Sequence, residues 1–206
     1  MSVLRIAKMG NPILLEKAKR IEHPTSPEIR ALAKDMQDTL LDIGGSGLAA
    51  PQVMQGVRMV VYRMIPQRIP ASSNLEPIPW TVMVNPEISP ITKHKVEVWE
   101  RCLSIPGLHG KVPRWPEITI AYETLFGERI SQVARSSWAA LLQHECDHLD
   151  GVLYPMRMGD LSLLAFNDEL GPLAIPDDAE KQFELQALLA PDLGDILYRL
   201  TIEHSV

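Results

Sequence analysis

Cysteine is nearly absent from this chain: its 206 residues include only Cys102 and Cys146. That excludes a disulfide framework. A single Cys102–Cys146 bridge is possible on paper, but a domain of this size does not need one. Long apolar runs are missing too, and none approaches the roughly 18 residues that a membrane-spanning helix requires. Basic charge is in deficit, with 20 Lys and Arg against 26 Asp and Glu and a formal net charge of −6. Nothing in that balance suggests a nucleic-acid surface. The opening Met1-Ser2-Val3-Leu4-Arg5 has neither the apolar core nor the small-residue cleavage site of a secretory signal, and it is no Arg/Ser-rich transit segment. The expectation is a cytoplasmic protein that does not engage a membrane. There is no internal repeat and no low-complexity tract.

What is present is the composition of a soluble globular protein, 46% hydrophobic and 22% charged, at a length that suits one domain with a tail. The charge is unevenly placed. From Asp177 onward seven acids stand against two bases, −5 of the total −6. We therefore expect a body over 1–170 and an acidic extension over 171–206, helical near Asp178 to Leu189.

Ser26-Pro27-Glu28 opens a helix: a hydroxyl N-cap, a proline at the first helical position and an acid in the first turn. Ile29, Leu32, Met36, Leu40 and Ile43 follow its period, and Gly44-Gly45 ends it. Strands are expected over 57–62, 80–84, 95–99 and 117–122, where apolar and β-branched residues cluster or alternate. Pro66, Pro70, Pro77 and Pro79 punctuate a polar loop between the first two. A second helix is expected from about Ser136 to Leu149, stopped by Gly151. The fold class is α+β, with helices packed on small, largely antiparallel sheets.

That second helix carries His144-Glu145-Cys146-Asp147-His148, an HExxH sequence. Side chains four apart share one face of a helix, so two imidazoles can hold one metal ion with Glu145 beside them as a general base. Cys146 lies about 200° round the helix from His144 and is read as a buried filler. Two ligands leave the site incomplete, since a zinc-type catalytic ion takes three from the protein. Downstream Glu169, Glu180 and Glu184 are possible third ligands of the zincin kind. The better candidate lies upstream, where Cys102 sits in Trp99-Glu100-Arg101-Cys102-Leu103-Ser104. In a reducing compartment a lone Cys with HExxH reads as a thiolate ligand. Beside it stands Gly45-Ser46-Gly47-Leu48-Ala49-Ala50-Pro51-Gln52, whose small residues allow backbone to approach a substrate closely.

With these three segments the chain resembles the peptide deformylase family, whose ordered motifs are GxGxAAxQ, EGCxS and HExxH. The resemblance runs over about residues 4 to 165 and implies a metallohydrolase. Its substrates would be N-formyl-methionyl peptides and nascent chains, from which it would release formate. It implies Cys102, His144 and His148 as metal ligands, with Fe²⁺ the expected ion and Zn²⁺, Ni²⁺ or Co²⁺ compatible. Glu145 would be the general base, and Gln52 with the Leu103 backbone N–H would stabilise an oxyanion. Gly45, Gly47, Val98, Ala140 and Leu141 would contact substrate, the last three forming an apolar methionine pocket or simply core.

The chain departs from that pattern twice. Arg101 stands where the family motif has Gly, and His109 stands where many members carry an Arg associated with peptide recognition. The plainer reading of His109 is a solvated loop histidine. Asp147 is either an orienting group or a solvated carboxylate, and Glu100 could brace Arg114. The acidic tail opposes contact with phosphates, so no ribosome docking through it is expected. Two alternatives stay open: a zincin-like metallopeptidase, and a non-catalytic homologue.

Overall fold

The computed structural model describes residues 2–66, 69 and 75–169. Expectations falling beyond residue 169, including the acidic helix, Glu180 and Glu184, lie outside the described residues.

The first helix, α1, spans Pro27–Ile43. Ser26 accepts a hydrogen bond from the Ile29 N–H, and Gly44 closes the helix at φ 70°, a left-handed cap that glycine adopts without penalty. Seven further strands and one helix build the body: β1 Gly47–Ala49, β2 Met59–Met64, β3 Ile78–Pro90, β4 Val96–Cys102, β5 Ile105–Arg114, β6 Glu117–Glu123, β7 Arg129–Arg135 and α2 Ser136–Leu149. A two-residue strand, β8 Ala165–Phe166, follows. They form two antiparallel sheets, one of five strands in the order β1-β2-β3-β6-β7 and one of three in the order β4-β5-β8.

At β2 the larger sheet is buried on both faces, and the period of two shows what each face meets. Val60 and Tyr62 pack with Ile118, Leu142 and Leu149 on the α2 side. Met59 and Val61 pack with Met36, Leu40 and Leu48 on the α1 side. The smaller sheet meets α2 through Val96, Val98 and Ala140. Enclosed in this way, α2 is buried without a break from Leu142 to Leu149. Among the described residues no helix is long and apolar enough to cross a membrane.

Several expectations shift. The run from Gly45 to Gln52, for which no element was expected, carries regular structure: Gly47–Ala49 pairs with Val60–Tyr62, and a 3-10 turn, Ala50–Val53, follows. The strand expected over 80–84 extends from Ile78 to Pro90, so Pro79 falls within it, near its first residue, where a missing N–H is tolerated. Strands β5 and β7 were not expected. Gly151 follows α2 at φ 73°, where a side chain would strike the Leu15 carbonyl oxygen at 2.6 Å.

Candidate active site

The hairpin of β4 and β5 turns at its tip through Leu103–Ser104, since Cys102 pairs with Ile105. A register shift between Arg101 and Cys102 breaks the ladder there. Such a bulge re-aims a side chain, and Cys102 Sγ arrives 3.3 Å from His148 Nε2. Cys102, His144 and His148 are all buried and offer ligand atoms within 4.8 Å of one another. The Ser104 N–H donates to the sulfur at 3.4 Å and the Gln52 amide at 3.7 Å. One thiolate and two imidazoles fit a single divalent ion. Glu169 is not part of this group.

His144 is oriented from behind. Its Nδ1 lies 2.7 Å from Glu100 Oε2, which directs Nε2 forward. Glu100 in turn receives Arg114 through Nε at 2.6 Å and Nη2 at 2.9 Å. Burial alone would raise the Glu100 carboxyl, but Arg114 and His144 outweigh it and hold it near about 2. Arg114 also donates to Asp147 at 2.6 Å, and Arg157 meets Asp147 at 2.7 Å. Asp147 is therefore a buried carboxylate bridging two guanidinium groups, not a solvated one.

Glu145 is buried, and its Oε2 has no partner among the described residues. Burial raises this carboxyl to about 7, with His144 lowering it and Glu100 raising it. A buried, unsatisfied oxygen is costly unless a bound group satisfies it. Gly47 makes room for it: a Cβ there would lie 2.8 Å from Glu145 Cδ. The glycine thus admits a side chain of the protein itself, and it also lines the cleft. Gln52 is anchored by its Oε1, which accepts the Ala49 N–H at 2.9 Å, so Nε2 is turned toward Cys102 and Ser104.

Gln52, Glu100, Cys102, His144 and Glu145 open onto one cleft of about 660 Å³, lined also by Gly45, Gly47, Val98, Arg101, Leu103, Ala140 and Leu141. His109 differs from its plainer reading. It is fully buried in β5, edge-on to Trp99, with Nδ1 3.0 Å from Asn167 Oδ1. Arg101 and His109, the two departures from the motif pattern, are cross-strand partners. Cys146 joins Leu142 and Leu149 in the core, and burial pushes its thiol well up, which makes it unreactive. Asn167 also lines the cleft and was missed; nothing in its turn-like surroundings marks it. Arg157, nine residues past HExxH, was missed for the same reason.

A Cys/His/His group that could hold a metal ion, with a carboxylate beside it on an α+β frame of antiparallel sheets, is the arrangement a mononuclear metallohydrolase requires. A family profile described as Polypeptide deformylase matches residues 3–163. Peptide deformylase 1 of Nitrosomonas europaea is 41% identical over 174 residues, covering 84% of this chain and 98% of the relative. Among solved structures, the Met-Ala-Ser-bound class I type b peptide deformylase from Acinetobacter baumannii superposes with a TM-score of 0.69 at 34% identity, covering 76% of this chain and 100% of that one. The peptide deformylase from Ehrlichia chaffeensis in complex with actinonin gives 0.71 at 30%, covering 79% and 92%. The chain belongs to the polypeptide deformylase family.

Proposed function

We infer that this chain is a metal-dependent hydrolase that removes the N-formyl group from the N-terminal methionine of newly made polypeptides and releases formate. The observation that carries the reading is the Cys102–His144–His148 group, whose Cys102 and His144 share one cleft with Glu145 and its unpartnered carboxylate oxygen. Cys102, His144 and His148 would hold one divalent ion, natively Fe²⁺, with Zn²⁺, Ni²⁺ or Co²⁺ suited to the same donors. When bound, such an ion supplies Lewis acidity and a water acidified toward neutral pH.

The chain's own residues do the rest. Glu145 takes the water's proton at Oε2 and passes it to the leaving amine. Gln52 Nε2 and the Leu103 N–H donate to the formyl oxygen as it gains charge. Val98, Ala140 and Leu141 receive the methionine side chain, while Gly45 and Gly47 keep the cleft wall thin. A relative with Met-Ala-Ser bound supports a methionine-first ligand. We assign catalysis to 1–170. The acidic extension over 171–206 repels RNA phosphates, so any ribosome contact runs through another surface. A reducing cytoplasm, where formylated chains are made, suits the thiolate.

The test is formate release from formyl-Met-Ala by protein purified without oxygen, with metal content measured on the same sample. Turnover is expected in the wild type, and Glu145→Gln should lower it by about 100-fold or more while metal stays bound. Internal peptide cleavage without formate would instead indicate a zincin-like peptidase. A metal-loaded protein that turns over nothing would be a non-catalytic homologue.

A further inference from the structure

Inward and outward residues alternate along β4: Val96, Val98 and Glu100 are buried, whereas Arg101 is exposed. Arg101 nevertheless lines the cleft, and among the described lining residues it is the one Lys or Arg. The acids there are already placed. Glu100 is held by Arg114 and His144, and Glu145 is buried. No carboxylate among the described residues pairs with the Arg101 guanidinium.

Asn167 offers a second donor at the same rim, and His109 sets its orientation. His109, the cross-strand partner of Arg101, is buried, and its Nε2 has no described partner. A proton there would be an orphaned donor, so the proton belongs on Nδ1, which then donates to Asn167 Oδ1 at 3.0 Å. With Oδ1 engaged, Asn167 has its Nδ2 donor left to offer. Its backbone N–H is tied to the Gly107 carbonyl at 2.8 Å, which fixes the residue at the cleft. The rim therefore presents donors. A carboxylate can satisfy both groups, and an ammonium can satisfy neither.

We propose that Arg101, with Asn167 beside it, makes this enzyme select formyl-methionyl peptides that carry a carboxylate one or two residues beyond the methionine. This rests on the deformylase reading above. Arg101 directly precedes Cys102 in the chain, and an extended peptide advances about 3.3 Å per residue. The long side chain therefore spans the stretch just after the reacting end. A solvent-exposed pair at that distance changes rates modestly, by about two- to fivefold, and salt weakens it.

The experiment measures kcat/KM for formyl-Met-Ala-X-amide and formyl-Met-X-Ala-amide, with X as Glu, Gln or Lys, using the metal-loaded full chain at low and high salt. The expected Glu-to-Lys ratio in at least one series is about two- to fivefold at low salt, shrinking at high salt. Arg101→Lys should retain it, Arg101→Gln should bring it to about one, and Arg101→Glu should invert it. Ordinary formate release with no preference for Glu in either series, or a preference that Arg101→Glu leaves intact, overturns this inference alone. Absence of formate from the Gln peptides overturns the deformylase reading, and this inference with it.

Discussion

Replacing Gly47 with alanine is expected to slow turnover sharply without unloading the metal. The added Cβ would sit 2.8 Å from Glu145 Cδ and 2.9 Å from Cγ. Carbon atoms pack at about 3.5–4.0 Å, so the carboxylate must retreat by roughly 0.6–1.2 Å. The backbone of β1 cannot yield instead, because Gly47, Leu48 and Ala49 are all paired with β2. Misplacing a reacting group by about 1 Å can cost on the order of 100-fold in rate. Overpacking adds a stability loss of about 1–3 kcal/mol. None of the three candidate ligands is touched, so metal content should match the wild type. Formate release by Gly47→Ala gives kcat, metal analysis gives occupancy, and thermal unfolding gives the strain. A Glu145→Ala background removes the three atoms nearest that Cβ, so most of the stability cost of the alanine should disappear. A Gly47→Ala protein with wild-type kcat would refute the close packing of these two residues as the reason for the glycine.

Arg114→Gln leaves Glu100 and Asp147 buried without their shared cation, a loss on the order of 3–5 kcal/mol; an unchanged urea midpoint would speak against the network as a brace. Gln52→Ala removes the side-chain amide that faces the sulfur and should lower kcat by about 100-fold or more with KM little changed. A kcat equal to the wild type's would take Gln52 out of the chemistry.

The sequence exposes those parts of the fold whose signals are local. Ser26, Pro27 and Gly44 mark both ends of α1 because capping depends on a few adjacent residues. Strand β5 is invisible because Pro106, Gly107, Gly110 and Pro113 fall within its ten residues. Its pairing with β4, not its propensity, makes it a strand, and Gly110 is needed because a Cβ there would meet Met158 and Tyr154. Strand β7 hides for another reason: Arg129-Ile130-Ser131-Gln132-Val133-Ala134-Arg135 buries only Ala134 fully. His109 was read as solvated since its neighbours look like a turn, yet Trp99 and Asn167 cover it from positions far from it in sequence.

The candidate site divides along the same line. Helical spacing alone brings His144 and His148 together, and it turns Cys146 toward the sheet. It cannot supply what faces them. The sulfur and Glu100 come from β4, Arg114 from the end of β5, the Gln52 amide from a 3-10 turn, and room for Glu145 from a glycine in β1. Gln143 fixes the helix against this assembly by accepting the Trp115 N–H at 3.0 Å and donating to its carbonyl at 2.8 Å. A helix buried from Leu142 to Leu149 with two carboxylates and two imidazoles on it is unstable by itself, because unpaired buried charge costs more than the packing returns. The HExxH helix and the β4–β5 hairpin therefore stabilise one another through Glu100, Arg114 and Asp147. The geometry of the three candidate ligands is a property of that joint and not of the motif.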